Sequence, residues 1–343
     1  MQKLIIGSLV SGFLFFISMG SSDHPEIVFD EETSVANILE KLGDLPQPHK
    51  PDLRLPGVSA ENGRSILFEG ISLDASGHKM PRQSKHFVCT SCHNMVKEDP
   101  DLSVSDPEAR LAYAREHQLP FLQGTTLYGV VNRTHFYNGD YDKKYGDLVK
   151  EARNDLRGAI NLCAVECSQG RNLEKWEMES ILAYLWTIDL KMSDLILNER
   201  ERSSITAALN GRSDKSEAIE LLKSRYLQAS PATFLTPPED RTKGYGLKGN
   251  PENGKAIYEL SCLHCHDKGR YAFFVLDDSK FSFDFLDKHV DRYTRYSIYQ
   301  VGRYGTYPLN GKKSYMPQYT KEKMSNQQME DLRAYIGQMA KGI

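Results

Sequence analysis

CTSCH at residues 89–93 and CLHCH at residues 262–266 decide how this chain is read. Both have the form C-x-x-C-H, in which two thiols add to the vinyl groups of a porphyrin and the adjoining histidine binds its iron from one face. Zinc sites or disulfides are the alternative use of such pairs. Two copies in one chain point instead to two covalently bound haem c groups. The first would use Cys89, Cys92 and His93, and the second Cys262, Cys265 and His266.

Each motif sits inside a repeated pattern. ENGRSI (61–66) returns as ENGKAI (252–257), and MESILAYL (178–185) returns as MEDLRAYI (329–336). Each half therefore runs helix, haem motif, loops, helix, which is how a small cytochrome c domain is built; repeats of this size mark duplicated units. Local signals agree. Asn250 before Pro251 is a helix start, and Ser325 with Gln328 is a capping box. Met329, Leu332, Ile336 and Met339, like Ile181, Leu182, Leu185 and Ile188, recur at helical spacing and read as core. Ile71–Val88 is an insertion peculiar to the first half and reads as a loop or hairpin. The expected fold is mainly α, with two tandem cytochrome c domains joined by a partly helical linker. The boundaries are 1–22 for a signal peptide, 23–190 for domain 1 with haem 1, 191–249 for the linker, and 250–343 for domain 2 with haem 2. DKSEAIELLKSRYL suggests a helix in that linker.

Lys3, the apolar run LIIGSLVSGFLFFISM and the small residues Gly20, Ser21 and Ser22 form a secretory signal layout, with an uncleaved anchor as the alternative. The expected compartment is the periplasm. The net charge of −3 argues against nucleic acid as a partner, and 40% hydrophobic residues suffice for globular cores.

A histidine-bound haem iron has one more axial position, and its occupant sets the potential. In the second half Met316, before Pro317 and thirteen residues ahead of Met329, is the candidate; Met324 and His289 are alternatives. The same count before Met178 falls on Val165, between Cys163 and Cys167, and no methionine lies between Met95 and Met178. One of these two cysteines is the expected sixth ligand of the first iron. A Cys163–Cys167 disulfide, free buried thiols, or ligation by His135 or His117 remain open on spacing alone.

The segment AINLCAVECSQGRNLEKWEMESILAYLW (159–186) resembles dihaem thiosulfate dehydrogenases and the haem-bearing A subunit of the sulfur-oxidising cytochrome complex. Ile160, Asn161, Cys163, Gly170, Met178, Tyr184 and Trp186 carry the match. The resemblance implies that Cys163 is the axial ligand of a catalytic haem 1 and that haem 2 is the electron exit. It also implies a small sulfur-containing anion as substrate. The acceptor would be soluble or membrane-bound, such as another cytochrome c. Arg157 and Arg171, with Arg133 and Arg153 behind them, are the candidates for holding the anion. Two departures stand out: Ala159 replaces an arginine of the pattern, and Cys167 is additional. A plain dihaem electron carrier and a dihaem peroxidase are the competing functions.

Overall fold

The computed structural model describes residues 26–306 and 314–342; the expected signal peptide, residues 1–22, lies outside them. Among the described residues the chain is helical, with three isolated β-bridges and no strand. No helix of the described residues is long and apolar enough to cross a membrane.

The two repeated sequence pairs form two matching helix crossings. α1 is Val35–Leu42, α2 is Ala60–Glu69, and α3 is Pro107–His117. Two short helices follow, α4 (Tyr141–Tyr145) and α5 (Leu148–Ala152), then α6 (Leu156–Leu162) and α7 (Lys175–Leu185). α8 is Glu199–Leu209, α9 Lys215–Ser224, α10 Pro251–Ile257 and α11 Leu263–His266. The last three are α12 (Lys280–His289), α13 (Ile298–Tyr304) and α14 (Asn326–Lys341). α2 packs on α7, and α10 packs on α14. The glycine of each ENG motif stands at the crossing. A Cβ on Gly63 would lie 1.9 Å from the Ser180 carbonyl oxygen, and one on Gly254 would lie 2.0 Å from that of Asp331. Ser180 and Asp331 are equivalent positions of the repeat, so both crossings use the same close backbone approach.

The caps follow the sequence signals. Asn250 accepts from the Glu252 amide at the start of α10, and Ser325 and Gln328 cap α14 reciprocally. Ile181, Leu182 and Leu185 join Ile66 and Leu67 in one core, and Met329, Leu332 and Ile336 join Ile257 and Phe283 in another.

Two features differ from the expected plan. The 191–249 segment is more than a connector. Its α8 and α9 pack with α1 around Ile38, Leu39, Ile205 and Leu222, a third core in which the chain before the first repeat is joined to the chain after it. The 95–157 stretch, read as loops, holds α3, which starts at an Asp106 cap with Pro107 in its first turn. α3 belongs to the core of the second half: Leu111, Ala114 and Phe121 pack there, and the Phe121 amide donates to the Leu260 carbonyl at 2.9 Å.

A buried charge cluster ties the halves together. Glu98 receives Arg110 at 3.2 Å and Lys323 at 3.0 Å, with Asn94 and the Thr126 amide completing its shell. Burial pushes the Glu98 carboxyl up, but the two cations outweigh it and hold it below the usual carboxylate range.

Candidate haem and thiol site

In the second half a π-helical turn, Tyr258–Cys262, runs into α11 and delivers CLHCH to the wall of a cavity of about 290 Å³. Cys262, Cys265, His266 and Met316 all line it, among apolar side chains such as Leu332 and Ile336. The His266 Nδ1 donates to the Phe274 carbonyl at 2.5 Å, which leaves Nε2 as the ligating nitrogen. Met316 is fixed through its backbone. Its amide donates to Thr306 Oγ1 at 2.8 Å, and its carbonyl accepts from the Thr306 amide at 2.9 Å. Gly305, at φ +68°, makes that approach possible, since a Cβ there would lie 2.5 Å from the Met316 oxygen. Met324 lines the same cavity, whereas His289 donates to the Phe285 carbonyl and packs against Phe285 and Tyr296.

The first motif is arranged in the same way. The His93 Nδ1 donates to the Thr125 carbonyl at 2.7 Å, and Gly124 keeps that face clear, since a Cβ there would lie 2.5 Å from the imidazole. Burial pushes the Cys89 and Cys265 thiols up to about 11 and Cys262 up to about 12. Among the described residues no group of three or more His, Cys, Asp or Glu is placed to hold a metal ion, and the six cysteines are all free. The donor sets therefore fit haem: paired thiols, a histidine with a fixed tautomer and, in the second half, an apolar slot with a methionine on its wall.

Cys163 and Cys167 open and close a second π-helical turn, which continues α6. Such widened turns are frequent at functional sites. The insertion peculiar to the first half fastens this one. Gln83 Nε2 donates to the Ala164 carbonyl at 2.8 Å, and Ser84 Oγ to the Ser168 carbonyl at 2.5 Å. The two thiols share a hydrogen bond, which holds the Cys163 thiol up and draws the Cys167 thiol down. The turn belongs to the half that carries the first haem motif: Leu162, just before it, and Cys89 pack in the same core.

Tyrosines surround Cys167. The Tyr145 hydroxyl lies 3.2 Å from its Sγ and the Tyr137 hydroxyl 3.7 Å. Tyr141 stacks on Tyr145 at 6.1 Å, and Phe234 closes on Tyr141 edge-on. Tyr137 is held at φ +50°, a conformation non-glycine residues seldom adopt. The signal for this cage was present in the sequence as tyrosines at 137, 141 and 145, one per helical turn.

The arginines are placed elsewhere than their expected role requires. Arg171 is bidentate to Glu177 at 2.7 Å on both nitrogens and also donates to the Pro81 and Asn172 carbonyls, so all its N–H groups are engaged. Arg157 is bidentate to Glu179 at 2.8 and 2.7 Å and donates to the Lys50 carbonyl. Arg153 pairs with Asp142, and Arg133 donates to the Thr126 carbonyl. His135 is exposed with its ring nitrogen on Thr134, and His117 is exposed and stacked on Tyr113.

The family model described as cytochrome C oxidase, cbb3-type, subunit III matches residues 249–336. No curated protein and no solved structure matches the chain. The matched stretch spans α10 to α14, including CLHCH, the cavity and Met316. Residues 249–336 are thus a c-type cytochrome domain, of the kind that carries covalently bound haem c and transfers electrons.

Proposed function

We propose that the protein is an exported dihaem cytochrome c that oxidises a small sulfur anion at its first haem and passes the electrons through its second to an acceptor such as another cytochrome c. The observation that carries this reading is the thiol-bearing turn, Cys163–Cys167, which packs in the half of the first C-x-x-C-H motif and brackets the position thirteen residues before Met178, as Met316 stands thirteen before Met329. The parallel glycine crossings and the equivalent histidine hydrogen bonds support two cytochrome c units, domain 1 over 23–190 and domain 2 over 250–343.

When bound, each haem supplies an iron that takes up and returns one electron. The chain's own residues do the rest. His93 and His266 present Nε2 from a fixed tautomer. Met316 would hold the second iron and raise its potential, whereas sulfur from the Cys163–Cys167 turn would hold the first and lower it. Tyr145 and Tyr137 stabilise negative charge on Cys167 by hydrogen bonding. Joining two thiosulfate anions through a new sulfur–sulfur bond releases two electrons, one for each iron.

The Arg171 pairing favours a second reading, a dihaem electron carrier in which the cysteine only tunes potential, because every N–H of that guanidinium is already engaged. One experiment separates the two: thiosulfate, sulfide and sulfite are each added alone to the oxidised protein. The enzyme reading predicts haem reduction by at least one of them at a rate that saturates; the carrier reading predicts none.

A further inference from the structure

The loop that carries Met316 is held in part by the other half of the molecule. Tyr315 packs edge-to-face on Phe87, with ring centroids 5.7 Å apart, and Ser314 Oγ lies 3.2 Å from the His86 ring nitrogen. His86 and Phe87 lead directly into CTSCH. Phe87 and Cys92 line the same cavity as Cys265, His266 and Met316, so Tyr315 stands in the wall between the two sites.

We propose that Tyr315 is a positioning residue that couples the two sites. Clamped on Phe87, it holds Met316 where it ligates the second iron, so the packing of the first site sets the ligation and potential of the second. Tyr315 is neither oxidised nor reduced in this role. An electron that leaves one iron arrives at the other, and the ring only fixes the geometry between them. The proposal rests on the reading of Met316 as a ligand and goes beyond it, because nothing in that reading requires a contact from the first half.

The test is a double-mutant cycle on the full haem-loaded chain with Tyr315→Ala, Phe87→Leu and the double variant, and with Tyr315→Phe as the conservative control. Two quantities are read in each: the far-red absorption of methionine-ligated ferric haem, and the midpoint potential of that haem. Coupling through the contact predicts that both single variants weaken the band and lower the potential. The double variant then does no more than either single, and Tyr315→Phe behaves as wild type. Additive shifts, or no shift in Phe87→Leu, overturn it. Absence of the band from the wild-type protein overturns it too, but by removing Met316 as the ligand. A folding defect in Tyr315→Ala is recognised by circular dichroism. Tyr315→Leu, which keeps an apolar side chain there but removes the ring contact with Phe87, then replaces it in the cycle and is held to the same non-additivity.

Discussion

Cys265 Sγ lies 3.9 Å from the carbonyl oxygen of Ser91, so the two C-x-x-C-H motifs touch. His264, the residue between the second pair of cysteines, is also packed against Thr90 and Ser91. The molecule therefore does more than join its two C-x-x-C-H segments in series: it places them back to back, with the buried Glu98 cluster and α3 packed across the two halves.

The matching helix crossings give the first prediction. Gly63→Ala and Gly254→Ala each force a methyl group against a main-chain oxygen, at 1.9 and 2.0 Å. Each substitution should destabilise the protein by about 1–3 kcal/mol, the usual cost of overpacking. Thermal unfolding checks this. Equal losses are expected at both positions, and an unchanged Tm for Gly63→Ala would argue against the equivalence of the halves.

Glu98 gives a prediction about acid. Its carboxyl is held low in the folded state, so its contribution to stability is fully present above the unfolded value of about 4.3 and is lost only as pH falls below that. Glu98→Gln leaves Arg110 and Lys323 buried without a counter-charge, a loss of about 3–5 kcal/mol at neutral pH. Wild-type stability followed by denaturant titration should fall with acid below about pH 4. The variant should be weaker at pH 7 and flatter across that acid range.

Arg171 and Arg157 are assigned here to structure. Arg171→Gln strands the buried Glu177 carboxylate, and about 3–5 kcal/mol of stability should go with it. Where thiosulfate reduces the haems, the thiosulfate concentration giving half-maximal rate should be unaltered in this variant at temperatures where it remains folded. A large rise in that concentration would restore Arg171 to the substrate site.

What could be read from sequence divides along a physical line. C-x-x-C-H, the apolar stripes and the Met316 count are local patterns; the stripes lie in the two cores, and Met316 lies on the wall of the cavity that CLHCH lines. Which partner a charged residue chooses is not local. Arg171 stands six residues before Glu177 and Arg157 twenty-two before Glu179, and nothing in their spacing says that both will be neutralised. Nor does α3 announce its docking. It is capped like any helix, but its partners Lys323, Ser325 and Gln328 come from the far half of the chain. The third core was hidden for the same reason, because α1 and α9 are remote in sequence. The tyrosine cage was the exception, legible as a four-residue period but passed over because the stretch read as a loop.

The central claim is that sulfur from the Cys163–Cys167 turn completes the coordination of the first iron. It is tested most directly by the near-infrared spectrum of the oxidised protein, recorded for wild type and Cys163→Met. The account predicts the charge-transfer absorption of thiolate-bound low-spin haem in wild type and its loss in Cys163→Met, with Cys167→Ser retaining it. A wild-type spectrum without that band, or one that Cys163→Met leaves unchanged, would contradict the account.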